Sequence, residues 1–499
     1  MCFCKVIQTN LLSFLLVNGK DMRIAGIDQG TTSTRALIVS TDGKLEVVHS
    51  IEHQQFYPHE GWVEHDPEQL VANIQQCVNA VGKVDAIGID NQGESCLAWD
   101  AKTKQALSPV IVWQDNRTID EIERLRSEGL EDETLARAGL PLDPYFSASK
   151  LAWLLKHIPA VKNALARGTL RLGTTDAFFL DRLTGRFVTD VTTASRTSLM
   201  NLEYQAWDET LCQIFGVPPE VLPEIVPTTG DFGVMSTDYG DTPITASVVD
   251  QQAALYGFGC RNKGEAKITF GTGAFALMVT GDEIMNNPAL GLLPTVAWQK
   301  YGQKPVFALD GGVYTASAAI NWARSLGLFD DFMTINAFDT PSAVERGLVF
   351  VPALSGLGCP YWDSRARGVW VGLSLSHKPE QLVQSILEGV AFRAAEVINA
   401  MHSCVPISSD LLIDGGMSKN PYFVQFLANV TQREVRPASM PELTGLGTIQ
   451  LAADFPGFEL QTASQFGSVH PESGNPTSME MFDRAVSMSR QWSAPAQCG

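Results

Sequence analysis

At 499 residues, with 45% hydrophobic and 18% charged side chains, the chain has the make-up of a globular enzyme and exceeds what one hydrophobic core serves, so two large domains are expected. Its formal net charge of −19 excludes nucleic acid and anionic membranes as partners, since both require a basic footprint. It does not exclude an anionic nucleotide held by backbone N–H groups, helix N-termini and a divalent metal.

Residues 1–21 carry Lys5 and the apolar run Leu11 to Val17, which is too short for a membrane span and has no small-residue cleavage site after it. They read as a dispensable, disordered extension. No other stretch is long enough to cross a bilayer, and nine cysteines, an odd number without a CxxC pair, point to a reduced intracellular chain. A cytoplasmic protein without stable membrane insertion is therefore expected.

From Ile24 the pattern predicts a strand to Asp28, a turn through Gln29-Gly30-Thr31-Thr32-Ser33-Thr34-Arg35, and a return strand from Ala36 to Val39 closed by Thr41-Asp42-Gly43. Val84 to Ile89 predicts another strand, followed by the polar run Asp90-Asn91-Gln92-Gly93-Glu94. Leu151 to Lys156 is helical in pattern. Ile244 to Val249 reads as a buried strand that gives way at Asp250 to the helical run Gln251 to Leu255. Ala266 to Phe270, Gly271-Thr272-Gly273 and Ala274 to Val279 then repeat the first hairpin, closing on Thr280-Gly281-Asp282. Leu411 to Ile413 is a strand, Asp414-Gly415-Gly416 a turn, and Asn420 the N-cap of a helix whose first residue is Pro421. Beyond about residue 455 the sequence turns rich in Ser, Pro and Gly, as in a peripheral helix with a loose end.

Strands alternating with helices give the α/β class. Two copies of one hairpin imply two related domains facing each other, joined near residues 245 to 262. The expected organisation is an extension at 1–21, domains at 22–250 and 251–455, and a C-terminal helix and tail at 456–499.

Several polar clusters suit chemistry. In each hairpin, glycine admits close approach of a ligand, and threonine hydroxyls with successive N–H groups suit phosphate oxygens. Asp28 beside the first turn suits Mg²⁺. A tight polar hairpin explains either copy alone; the pair suits a nucleotide clamped in a cleft. Asp250, at the carboxyl end of a strand, is placed as a helix N-cap and equally as the base that takes a hydroxyl proton during phosphoryl transfer. The run 90–94 fits a pocket lining or a surface turn, and Trp113 and Tyr145 fit pocket walls or core. No Walker A, protein-kinase glycine loop, HExxH or GxSxG motif is present.

Across residues 22 to 455 the ordered stretches Gly26-Ile27-Asp28-Gln29-Gly30-Thr31-Thr32-Ser33, Gly61-Trp62-Val63-Glu64-His65-Asp66-Pro67 and Asp143-Pro144-Tyr145-Phe146-Ser147 resemble the FGGY family of carbohydrate kinases, and within it the glycerol kinases most. So do Lys150-Leu151-Ala152-Trp153, Ala194-Ser195-Arg196-Thr197, Asp250 to Leu255, Phe270 to Gly273 and Asp414-Gly415-Gly416. The resemblance implies two ribonuclease H-like domains of the actin and sugar-kinase superfamily around an interdomain cleft, ATP and Mg²⁺ as cofactors, and phosphorylation of glycerol or a related sugar alcohol. It also implies a homo-oligomer, dimer or tetramer. Carried over by position, Thr31, Thr32, Ser33, Arg35 and Thr272 contact ATP phosphates, Asp28 the metal, and Ser317, Asn321, Gly416 and Asn420 the remaining nucleotide site. Glu94, Tyr145, Asp250 and Gln251 hold polyol hydroxyls, Trp113 and Phe275 pack on its carbons, and Asp250 is the catalytic base.

The chain departs from the family pattern at Gly93, where an arginine that grips a terminal hydroxyl is expected. The lost guanidinium is expected to open volume beside the substrate and to favour a tetritol or pentitol. Ser317 and Asn321 replace a Gly and a Gln at the nucleotide site, which ATP is expected to tolerate. Tyr239 to Val249 lacks the glycine- and arginine-containing loop that binds fructose bisphosphate in some relatives, so inhibition by that effector is not expected.

Overall fold

The computed structural model describes residues 23–39, 45–407, 410–440, 442–453, 466–472 and 477–492. The expected extension at 1–21, the turn at Thr41-Asp42-Gly43 and much of the tail lie outside the described residues. Two six-stranded sheets that share the topology of five strands and carry the sixth on opposite edges organise the rest. In the first, the hairpin Ile24–Gln29 and Ser33–Val39 is extended on one side by antiparallel Leu45–Glu52 and on the other by parallel Ala86–Asn91 and Gly240–Val249. In the second, the hairpin Ala266–Phe270 and Ala274–Gly281 is extended by antiparallel Val306–Val313 and by parallel Leu411–Gly415 and Val435–Pro437. The repeated hairpin seen in the sequence is thus the seed of a repeated sheet.

The strand expected at Val84 to Ile89 runs instead over Ala86–Asn91. Its polar end stays in the sheet because Asp90 and Asn91 pair in register with Asp28 and Gln29 of the first strand, all near the cleft. A smaller four-stranded sheet combines Glu64–His65, which precedes Ala86–Asn91, with Val110–Ile111, Cys96–Asp100 and Leu170–Thr174, which lie between that strand and Gly240–Val249, and packs on its own apolar cluster. This layer carries Trp113 and Tyr145.

The helices Asp250–Gly257 and Leu443–Ala453 cover one face of the first sheet and pack on each other. Their approach requires small residues: a Cβ on Gly447 would lie 1.8 Å from the Ala253 carbonyl oxygen, and one on Gly257 would lie 1.9 Å from that of Leu443. Late sequence is thereby locked onto the early sheet, with Thr448 Oγ1 donating to Asp90 Oδ2 at 2.6 Å. The second sheet is backed by the long helix Pro379–Cys404 and by Pro421–Thr431, around the largest apolar cluster. Helix Thr477–Trp492 packs on a two-stranded ribbon, Val349–Val351 with Val369–Val371, as the peripheral helix expected of the tail. Among the described residues no helix is long and apolar enough to cross a membrane.

Candidate active site

A cavity of about 150 Å³ lies between the two halves, and the six residues expected to hold the polyol all line it: Glu94, Trp113, Tyr145, Asp250, Gln251 and Phe275. Glu94 follows the Ala86–Asn91 strand in a turn where it adopts φ +59°, a left-handed conformation that few non-glycine residues hold. Ser147 Oγ fixes that turn by donating to the Glu94 carbonyl at 2.9 Å. Trp113 Nε1 donates to Thr31 Oγ1 at 3.1 Å, tying the substrate wall to the first hairpin, and its ring meets that of Tyr145 edge-on at 5.6 Å. The 90–94 run is therefore pocket and not surface turn. Gly93 and Glu94 face the cavity, Asp90 holds Thr448, and Gln92 lies 3.3 Å from His65. Trp113 and Tyr145 are walls.

Asp250 emerges from the Gly240–Val249 strand as the first residue of its helix. The N-cap is Val249, so the cap reading of Asp250 is corrected by one position: its carboxylate accepts from the Gln251 backbone N–H at 2.6 Å and does not cap the turn. Burial, then the charges of Glu94 and Asp28, push its pKa up to about 7. A carboxylate so placed changes protonation near neutrality, as a general base requires.

Four further residues were given no role in the sequence reading. Arg196 donates through Nε to Glu94 at 2.7 Å and through Nη2 to Asp310 at 2.9 Å, and with Asp310 and Gln252 it lines the cavity. Lys267 is buried and donates to Gln251 Oε1 at 2.7 Å and Thr269 Oγ1 at 3.0 Å, and its charge reaches Asp250 and Asp414. A signal was present: Lys267 and Asp310 each interrupt an otherwise apolar strand, where an unpaired charge is too costly to keep without a partner.

The expectation that Gly93 opens space is also corrected. A Cβ there would lie 3.2 Å from Val249 Cγ1, so the space next to the Gly93 backbone is crowded by Val249 and is not open. A larger groove of about 610 Å³ elsewhere, lined by Arg137, Leu202 and Lys304 among others, contains none of the expected catalytic residues.

The residues expected at a nucleotide gather around the two hairpins. Thr31, Thr32 and Ser33 form the first turn, and Thr272 is exposed at the tip of the second. The carbonyls of Gly271 and Thr272 accept from the N–H groups of Ser317, Ala316 and Ala318, seating this hairpin on the start of helix Ser317–Ser325. A Cβ on Gly416 would lie 3.8 Å from Ser317 Oγ, so the late loop reaches the same place, while Asn321 stands exposed on that helix. Two expected contacts are otherwise engaged. Arg35 forms a two-pronged ion pair with Glu442, and the Asn420 side chain caps its helix by accepting from Phe423 N–H while donating to the Ile335 carbonyl.

Asp28 lies against Asp90, and burial, then the charge of Asp28, raises Asp90 well above the usual carboxylate range, with Asp250 adding to the effect. Burial also raises Asp28, against the pull of Asp90 and Arg35. This anionic floor, offset only in part by Arg35, fits a hard divalent cation. Among the described residues no group of three or more His, Cys, Asp or Glu side chains converges to hold a metal without outside ligands.

The chain matches the FGGY family of carbohydrate kinases in two blocks, the N-terminal domain over residues 23–257 and the C-terminal domain over 266–454. It is 39% identical to a glycerol kinase of Haloferax volcanii over 453 residues, covering 86% of this chain and 89% of that one. It is 40% identical to a glycerol kinase of Gluconobacter oxydans over 444 residues, 86% of each chain. Among solved structures it is similar to Plasmodium falciparum glycerol kinase with ADP, at a TM-score of 0.85 and 30% identity over 94% of this chain and 98% of that one. The gluconate kinase of Lactobacillus acidophilus shares the fold at a TM-score of 0.82 and 23% identity, over 94% and 97% of the two chains.

Proposed function

The chain belongs to the FGGY family of carbohydrate kinases, and we propose that it transfers the γ-phosphoryl group of ATP to a hydroxyl of glycerol or a closely related sugar alcohol. The observation that carries this reading is Asp250, a half-buried carboxylate with its pKa pushed up to about 7, lining a small cavity together with Glu94, Trp113, Tyr145 and Phe275.

The substrate lies with its carbons between Trp113 and Phe275 and its hydroxyls toward Glu94, Tyr145 and Gln251. Asp250 accepts the proton of the attacking hydroxyl as the new oxygen–phosphorus bond forms. The bond from γ-phosphorus to the bridging oxygen breaks, and ADP leaves with that electron pair. Lys267 holds Gln251 in place and adds positive charge beside the transferring group. Thr31 to Ser33 and Thr272 bring phosphate-binding turns from the two halves to the cavity mouth, with Ser317, Asn321, Gly416 and Asn420 behind the second. Mg²⁺, held by Asp28 over the anionic floor, would neutralise phosphate charge when bound.

Val249 in the space beside Gly93 supports a small polyol over a pentitol. The six free cysteines among the described residues support a reducing, cytoplasmic setting, and the family resemblance supports a homodimer or homotetramer. An ADP-release panel with glycerol, erythritol, threitol, xylitol and arabinitol tests the reading. Strict polyol dependence with glycerol among the best acceptors is expected; ADP release indifferent to every polyol would overturn it.

A further inference from the structure

Besides the six residues that account for the acceptor, the cavity has a second polar wall. Arg196, Gln252 and Asp310 all line it, at 4%, 2% and 8% exposure. Each has one buried polar atom without a hydrogen-bond partner: Nη1 of Arg196, Oε1 of Gln252 and Oδ1 of Asp310. The rest of each side chain is engaged and held still. Arg196 Nε and Nη2 donate to Glu94 and Asp310, its guanidinium lies 5.5 Å from the Phe146 ring, and Gln252 Nε2 donates to Thr295 Oγ1 at 3.2 Å.

Buried polar atoms are nearly always paired, so three orphans on one cavity call for a polar guest. A hydroxyl suits this wall, since its oxygen can accept from Arg196 Nη1 while its one proton goes to Asp310 Oδ1 or Gln252 Oε1. Gly93 carries no side chain, and the groups nearest to where its Cβ would stand are the methyls of Val249. The rim at 93 and 249 thus offers the acceptor no hydrogen bond from a side chain.

We propose that Arg196, Gln252 and Asp310 form a subsite for the acceptor's far, non-reacting hydroxyl, taking over the grip that the side chain missing at Gly93 would give. This rests on the polyol-kinase reading above. The three are positioning and specificity residues: they fix the end of the polyol remote from Asp250 and so align the reacting oxygen. They also make the enzyme reject an acceptor lacking that hydroxyl, because such a molecule would leave buried polar atoms unpaired.

The test compares glycerol with propylene glycol, which keeps the reacting and middle hydroxyls and replaces the far one by hydrogen. Steady-state kcat/KM is measured for both acceptors in wild-type enzyme, Arg196→Lys and Gln252→Met. Arg196→Lys keeps a cation between Glu94 and Asp310 but removes the Nη1 donor. Gln252→Met keeps volume and provides an independent reading if Arg196→Lys does not fold.

Wild-type enzyme is expected to favour glycerol by roughly ten- to a hundredfold, the range for a hydrogen bond to a charged group. Each variant is expected to lose most of that preference, because glycerol turnover falls by the larger factor. A merely structural role would lower both acceptors alike and leave the ratio intact, which refutes the subsite while leaving the kinase reading in place. Equal use of the two acceptors by wild-type enzyme refutes it as well. If wild-type enzyme phosphorylates neither, the subsite fails, and if no polyol of the panel above is phosphorylated either, the polyol-kinase reading fails with it.

Discussion

Restoring the arginine expected at position 93 is the sharpest test of how this pocket is built. In Gly93→Arg the new Cβ would stand 3.2 Å from Val249 Cγ1 and 3.9 Å from Cγ2. The nearer distance is shorter than the 3.5–4.0 Å at which carbon atoms attract, so Val249 must move before the rest of the side chain is placed. The guanidinium would then enter a cavity of about 150 Å³ whose carboxylates, Glu94 and Asp310, already serve Arg196. Overpacking of this kind costs about 1–3 kcal/mol, which is about a 5- to 150-fold loss when it falls on acceptor binding.

The double variant Gly93→Arg with Val249→Gly removes the clash, and the helix start tolerates glycine at an N-cap. It is expected to recover most of the loss, so that the two substitutions couple by about the size of the single effect. The assay is kcat/KM for glycerol at saturating ATP in wild-type enzyme, both single variants and the double. A Gly93→Arg enzyme as active as wild type, or a double variant no better than the single, would refute the reasoning.

Asp250→Asn keeps the shape but removes the base, so kcat should fall roughly 10²- to 10⁴-fold while nucleotide affinity by calorimetry holds; turnover within a few-fold of wild type sinks the assignment. Asp250 works deprotonated, and burial with the charges of Glu94 and Asp28 raises it to about 7. Thus kcat/KM should fall as pH drops through that value, and Glu94→Gln should move the break to lower pH. An unmoved break would show that another group titrates. Gly447→Ala places a Cβ 1.8 Å from the Ala253 carbonyl oxygen, which must prise two helices apart. The thermal midpoint should drop markedly, and unchanged melting would mean that the interface is looser than described.

Much of this protein is legible in the chain itself. The α/β class, the paired hairpins and the strand ending at Asp250 follow from periodicity and turn residues, because local hydrogen bonding and alternation of faces leave their mark within a few residues. The grouping of Glu94, Tyr145, Asp250 and Gln251 came from the family resemblance, because local pattern alone left Asp250 a helix cap, Glu94 a turn residue and Tyr145 a core residue equally well. What the sequence could not decide is which distant residues face each other. The 24–29 strand meets 86–91 and the 443–453 helix only in three dimensions, and that pairing extends the 86–91 strand through Asp90 and keeps Asn91 in the sheet. Glu442 claims Arg35 from the far end of the chain.

At the pocket the difference decides the chemistry. Read alone, Gly93 was a gap that invited a longer polyol. In the folded protein Val249 crowds it, and Arg196, Gln252 and Asp310 bring the cavity a polar wall from three parts of the chain. Residue type and spacing determine local structure, but the volume and polarity of a cleft are set by side chains whose proximity exists only after folding.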